Sequence, residues 1–129
     1  MSIFSSGELD YLRGQKLGRL ATKVPDGTVQ NNPVGYFVAD DHIDIGGHGM
    51  GASRKFHNVQ ADPQVSLVID DLSTEHGWQV RGIEIRGRAE AISDVTPPMP
   101  GFSREIIRIH PERILSWGFE GSSRRNVAS

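Results

Sequence analysis

The sequence predicts a mainly β protein, a small antiparallel barrel with two short helices, and three observations lead there. Segments in which apolar and polar residues alternate recur between Leu17 and Trp117, the period of a half-buried strand. Short turn sequences such as Pro25-Asp26-Gly27 separate them, with Pro presetting φ and Gly accepting a positive one. A single short helical pattern interrupts the series, whereas parallel sheets need a crossover helix at each return. At 129 residues the chain is one domain, 1–129, with 121–129 a polar tail.

Ser5 followed three residues later by Glu8 is a capping box, and Leu9 and Leu12 at helical spacing extend a short helix to about Gly14. Gly18, Leu20, Thr22 and Val24 then share one face of the first strand, and Val29 to Val38 returns as the second. Pro33 removes a ladder donor, so a bulge, an edge or a kink is expected there. Ile43 to Ile45 is the third strand, and a helix follows the glycine loop to about Gln60, stopped by Asp62-Pro63. Val65, Leu67 and Ile69 point inward from the fourth strand, and Ile83, Ile85, Ala89 and Ala91 from a long fifth, 78–92. Glu84, Arg86, Arg88 and Glu90 form that strand's wet face. Thr96 to Gly101 is a proline-rich connector, and two last strands flank a corner at His110-Pro111-Glu112-Arg113. The total is six or seven strands.

The candidate site is the stretch Ile43 to Val59. Gly46, Gly47, Gly49 and Gly51 flank His48 and Met50, so side chains leave room for a ligand against the backbone. Ser53, Arg54 and Lys55 then open the helix, setting a hydroxyl, two cations and free N–H groups at a terminus that favours anions. Glycine clusters and a capping Ser are ordinary structural features taken singly. Two cations in a first turn are not, because the helix dipole repels them there. An anionic ligand, the phosphate of a cofactor, offsets that repulsion.

The same loop satisfies G-x-G-x-x-A through Gly47, Gly49 and Ala52, with Asp70 and Asp71 ending the next strand. A dinucleotide fold is nevertheless excluded by the strand-only pattern downstream. Lys and Arg number 14 against 16 Asp and Glu, a net charge of −2, which argues against nucleic acid as partner. No apolar run reaches the roughly 20 residues of a membrane span. The absence of cysteine excludes disulfides and thiolate metal sites, and no basic, apolar leader is visible, so a cytoplasmic setting is expected. His42, His48, His57, His76 and His110 are too scattered for a metal site.

Several stretches in this order resemble the pyridoxamine 5′-phosphate oxidase-like split-barrel family, and within it an actinobacterial branch of F-420-dependent oxidoreductases. They are Leu17-Gly18-Arg19-Leu20-Ala21-Thr22, Pro33-Val34-Gly35, Ile43 to Gly49, Ser53-Arg54-Lys55, Gly82 to Ala89 and His110 to Gly118. The resemblance implies a six-stranded split barrel and a homodimer with two flavin-type cofactors in the clefts between subunits. It implies a reductase that passes hydride from reduced deazaflavin coenzyme F-420 to a small or planar unsaturated substrate, with FMN the alternative cofactor.

Carried onto this chain, it puts the cofactor phosphate on Ser53 and Lys55 with Arg54 beside them, Gly47 and His48 close by, and the ring along Asn32, Pro33, Val34 and Gly35. It sends Trp78 toward the cofactor from the other subunit. Asn31-Asn32 departs from the more apolar family pattern at that strand. A carrier that sequesters the cofactor without turnover needs the same site and is the second class of function. Dimerisation is expected also from Trp78, Trp117 and Phe119 as contact aromatics, and the Arg124-Arg125-Asn126 tail is expected to be mobile or to reach a partner's pocket.

Overall fold

The computed structural model describes residues 2–75 and 77–127, so His76 and the last two residues of the tail lie outside the described residues. Helix α1 spans Ser6–Gly14, and the strands are β1 Gly18–Lys23, β2 Val29–Val34, β3 Tyr36–Val38 and β4 Ile43–Ile45. A 3-10 turn at Met50–Ala52 leads into helix α2, Arg54–Ala61. Strands β5 Gln64–Ser73, β6 Gln79–Ile92, β7 Ile106–Trp117 and β8 Arg124–Asn126 complete the chain.

All strand pairs are antiparallel, in the order β2-β1-β5-β6-β7-β4-β3, with β8 added to β7. The two ends of that order, β2 and β3, are consecutive in the chain and separated only by Gly35. One strand therefore leaves one edge of the sheet and joins the other, curling the sheet into a split barrel. Counting β2 and β3 as that one broken strand and leaving out the three-residue β8, the barrel has six strands.

Alternation fills the interior. Leu20, Leu67, Ile69, Ile83, Ile85, Ile107, Ile109 and Ile114 are at most 1% exposed, joined by Ile43 and Ile45, each worth about 1.5–3 kcal/mol of burial. Helix α2 packs on β1, β6 and β7 and buries Phe56, Asn58 and Val59. Helix α1 has the expected capping box, and Tyr36 Oη donates to the Leu12 carbonyl at 2.6 Å, tying the helix to β3. No helix among the described residues is long and apolar enough to cross a membrane.

Four expectations change. The return strand is not continuous from Val29 to Val38 but breaks at Gly35, while Pro33 sits in regular register opposite Arg19 on an edge strand, one of the placements expected of it. The corner at His110-Pro111 is no corner: β7 runs through it, and the register shift between Arg86 and Gly87 absorbs an extra residue there. A Cβ on Gly87 would lie 2.2 Å from the His110 carbonyl oxygen, so only glycine lets the bulged strands pass.

The tail is not free either, since 124–126 pairs with β7 and Arg125 forms a two-pronged ion pair with Glu8 (2.6 and 3.0 Å), a side chain with no exposure. Finally, Trp117 lies against Gly82 and Phe119 stacks on Tyr11 at 4.9 Å, which leaves Trp78, 80% exposed, as the free aromatic of the three.

Candidate cofactor site

The glycine loop is packed against its own connector. A Cβ on Gly46 would meet the Phe102 ring at 2.9 Å and one on Gly51 would meet Glu105 at 2.7 Å, so these two glycines are needed inside the chain. Ser103 fastens the loop, its N–H and hydroxyl donating to the Gly47 carbonyl at 2.9 and 3.1 Å while its oxygen accepts from Met50 N–H at 3.0 Å. His48 is held by the Gly101 carbonyl at 3.0 Å and the edge of Phe102. Gly47 and Gly49 are different, for space is open where their Cβ atoms would be, apart from the tip of Met50 at 4.0 Å. Neither has a positive φ that would call for glycine. Backbone there is accessible to a ligand.

Ser53 caps α2. Its hydroxyl donates to the Met50 carbonyl at 2.6 Å and accepts from Phe56 N–H at 3.3 Å, which leaves it little capacity for a ligand. Arg54 and Lys55 follow with no acid among the described residues of the first turn and no ion pair of their own among those residues. The N–H groups of Arg54 and Lys55 are among the donors a helix start leaves over. Arg54 stands over a cleft of about 370 Å³ lined also by Pro25, Ala52, His57 and Asn58. Its charge reaches Asp26, whose carboxyl lies below the usual range through hydrogen bonds from the Thr28 hydroxyl and N–H, with Arg54 adding to them. Lys55 is half-buried.

A chain of side-chain amides starts from the same helix. Asn58, 2% exposed, donates through Nδ2 to Thr22 Oγ1 at 3.1 Å and to Gln30 Oε1 at 2.9 Å. Gln30 Nε2 in turn donates to Asn32 Oδ1 at 2.7 Å. Asn32 and Gln30 thus occupy the inner side of β2, while Asn31 and Pro33 are exposed on the outer side. Sequence reading missed Asn58, and the available signal was an amide beside Phe56 and Val59 at helix positions that go inward.

The predicted residues therefore divide. Ser53, Arg54 and Lys55 stand at the α2 start, Gly47 and His48 lie in the loop before it against the 101–103 connector, and Asn32 is linked to α2 through Gln30 and Asn58. Val34 is core at 5% exposure, and Gly35 is the open point at which the strand crosses between sheet edges. Trp78 stands at the tip of the β5–β6 hairpin. Asp70 and Asp71, the acids of the rejected dinucleotide pattern, are ion-paired to Arg19 and Arg81.

Residues 8–118 match the family described as pyridoxamine 5′-phosphate oxidase. The chain belongs to that family. It is 40% identical over 121 residues, 92% of this chain and 85% of the other, to a 5a,11a-dehydrotetracycline/5a,11a-dehydrooxytetracycline reductase of Streptomyces rimosus. Its fold is shared with a conserved hypothetical protein of Mycobacterium tuberculosis at a TM-score of 0.71, 23% identity and coverage of 99% of this chain and 94% of that one. A structure titled F420 reductase aligns with a TM-score of 0.60 and 22% identity over 78% of this chain and 89% of its own. In this member of the pyridoxamine 5′-phosphate oxidase family, leftover N–H groups and two cations without a salt bridge among the described residues stand at one helix start, and two open glycines lie in the loop that leads to it. That donor set fits a phosphate-bearing cofactor.

Proposed function

We propose that this chain is an oxidoreductase that uses reduced deazaflavin coenzyme F-420 to reduce a small or planar unsaturated substrate. The observation that carries the reading is the pair of cations at the α2 start that form no salt bridge among the described residues, beside open Gly47 and Gly49. The 40% identity to a protein named for reducing dehydrotetracyclines supports a reductase, and a planar polycyclic ketone is the substrate type that name suggests. Bound reduced F-420 supplies the hydride; the protein's part is to hold, orient and exclude water. Lys55, Arg54 and the backbone of the α2 start hold the phosphate, and the end of β2 from Asn32 with Gly35 after it borders the ring. No acid–base pair is required of the chain, in keeping with ionisable groups committed to structure, such as Asp71 with Arg81 and Asp44 with Arg108.

The purified protein is expected to bind F-420 in absorbance titration and, once loaded with the reduced form, to speed its reoxidation by enones and quinones. Tight binding of FMN with indifference to F-420 moves the assignment to FMN. Binding without any acceleration across a broad acceptor panel makes the protein a carrier.

We further propose that the working unit is a homodimer. Trp78 (80% exposed) lies next to Val80 (52%), which pairs across the hairpin with Leu72 (42%), an apolar patch of the kind that marks interfaces. Light scattering at micromolar concentration is expected to give twice the 14.2 kDa chain mass, and Val80→Asp to shift it toward one. A monomer mass for the unmodified protein overturns the dimer and the shared cleft with it.

A further inference from the structure

The amide chain from α2 to β2 has a direction. Asn58 gives its N–H groups to Thr22 and Gln30, Gln30 then gives its own to Asn32, and the Asn32 carbonyl is consumed as acceptor. What remains at the β2 end is the Asn32 NH2 group, with no acceptor among the described residues on a half-buried side chain. Amides on the inner face of a barrel cost free energy unless they are matched or reach solvent, and the Asn32 NH2 reaches solvent, since no buried side-chain nitrogen or oxygen among the described residues lacks a partner.

We propose that Asn32 is a specificity-determining donor for the ligand whose phosphate sits at the α2 start, selecting a carbonyl or enolate oxygen, with Gln30 and Asn58 as the positioning residues that keep its N–H side free. This rests on the phosphate reading of α2. The buried anchor, Asn58, lies three residues beyond Lys55 on one helix, about 4.5 Å along its axis. The helix that binds the anion thus also fixes the polarity of the strand beside it.

Inverting that polarity at a distance tests the proposal. In Gln30→Glu, Asn58 still donates to residue 30, while the second carboxylate oxygen draws in the Asn32 NH2, so Asn32 turns over and offers its carbonyl instead. Titrating F-420 and FMN by absorbance, we expect Asn32→Leu and Gln30→Glu each to weaken binding about tenfold, with a displaced visible band for the bound chromophore. We expect Gln30→Glu to add nothing in an Asn32→Leu background, because residue 30 acts only through residue 32. Additive losses overturn the proposal, since they mean that the new charge or a disturbed fold is responsible. So does unchanged affinity in Asn32→Leu while Lys55→Ala still weakens binding. Lys55→Ala without effect, or no binding of either cofactor to the unmodified protein, instead removes the phosphate reading and takes the Asn32 assignment with it.

Discussion

Arg125→Ala is expected to destabilise the protein by about 3–5 kcal/mol, as breaking a buried ion pair from one side does, and to lower Tm by roughly 10 °C or more. Glu8 has no exposure, and its carboxylate is met by Arg125 at 2.6 and 3.0 Å, by Ser116 Oγ at 2.7 Å and by Ser5 N–H at 2.9 Å. Removing Arg125 deprives the carboxylate of its only cation among the described residues. Arg125 itself keeps 30% side-chain exposure, so Glu8→Gln, which strands the cation instead, should cost less. The double variant should be more stable than Arg125→Ala alone, because the remaining group is then neutral.

The pH dependence follows from the same contacts. Burial pushes the Glu8 carboxyl up, but the hydrogen bonds from Arg125, Ser116 and Ser5 together with the Arg125 charge outweigh it and leave the pKa below the usual glutamate value. A depressed folded pKa stabilises the protein above the ordinary glutamate pKa of about 4.3, and that contribution is lost as pH falls through the lowered value. The stability gap between wild type and Arg125→Ala should therefore be widest near pH 7 and close as pH falls, beginning where the burial-raised Glu8 carboxyl of the variant takes up its proton, above the ordinary glutamate value, and ending once wild-type Glu8 is protonated too, below it. Denaturant titrations across that range measure it, and a pH-independent gap would refute the ion-pair account.

What the sequence made legible was whatever depends on neighbours in the chain. The Ser5–Glu8 capping box, the Pro25-Asp26-Gly27 turn and the alternation of Ile83 and Ile85 with Glu84 and Arg86 are local patterns, and all stand in the structure. Long-range partners account for what was missed. Pro111 reads locally as a strand breaker, and only Gly87, its partner across the bulge, makes room for it. Arg125 reads as part of a polar tail because its partner is 117 residues away. Glu8, already explained by the capping box, gave no hint of a second commitment.

The glycine loop teaches the same lesson in reverse. Four glycines near an anion site read as one ligand-facing loop, yet Gly46 and Gly51 are set by Phe102 and Glu105 from the connector. Gly47 and Gly49 are left with no internal reason to be glycine. A cluster of one residue type thus held two different causes, and the cross-chain neighbours separate them. The family resemblance names candidate residues more narrowly than alternation and turns do, because its spacing carries information about tertiary placement that a single sequence's local pattern lacks.

Lys55→Ala is expected to lower cofactor affinity at least tenfold while leaving the apoprotein's melting almost unchanged. The lysine makes no ion pair among the described residues and is only half-buried, so truncation removes little packing, and such changes fall within about 0.5 kcal/mol. Its ammonium is one of two charges available to a phosphate at the α2 start, and losing a charge-assisted bond to a ligand costs about 2–5 kcal/mol. Ser53→Ala should behave in the opposite way. With its hydroxyl held by Met50 and Phe56, its loss should cost about 1 kcal/mol of stability as an N-cap and affect binding mainly through the helix start it shapes. The pair of variants separates ligand contact from scaffold: titration with F-420 and FMN reads the first, and melting of the apoprotein reads the second. If Lys55→Ala binds as tightly as wild type, the phosphate is held elsewhere, and the unpaired cations of α2 lose the role that makes this helix the centre of the site.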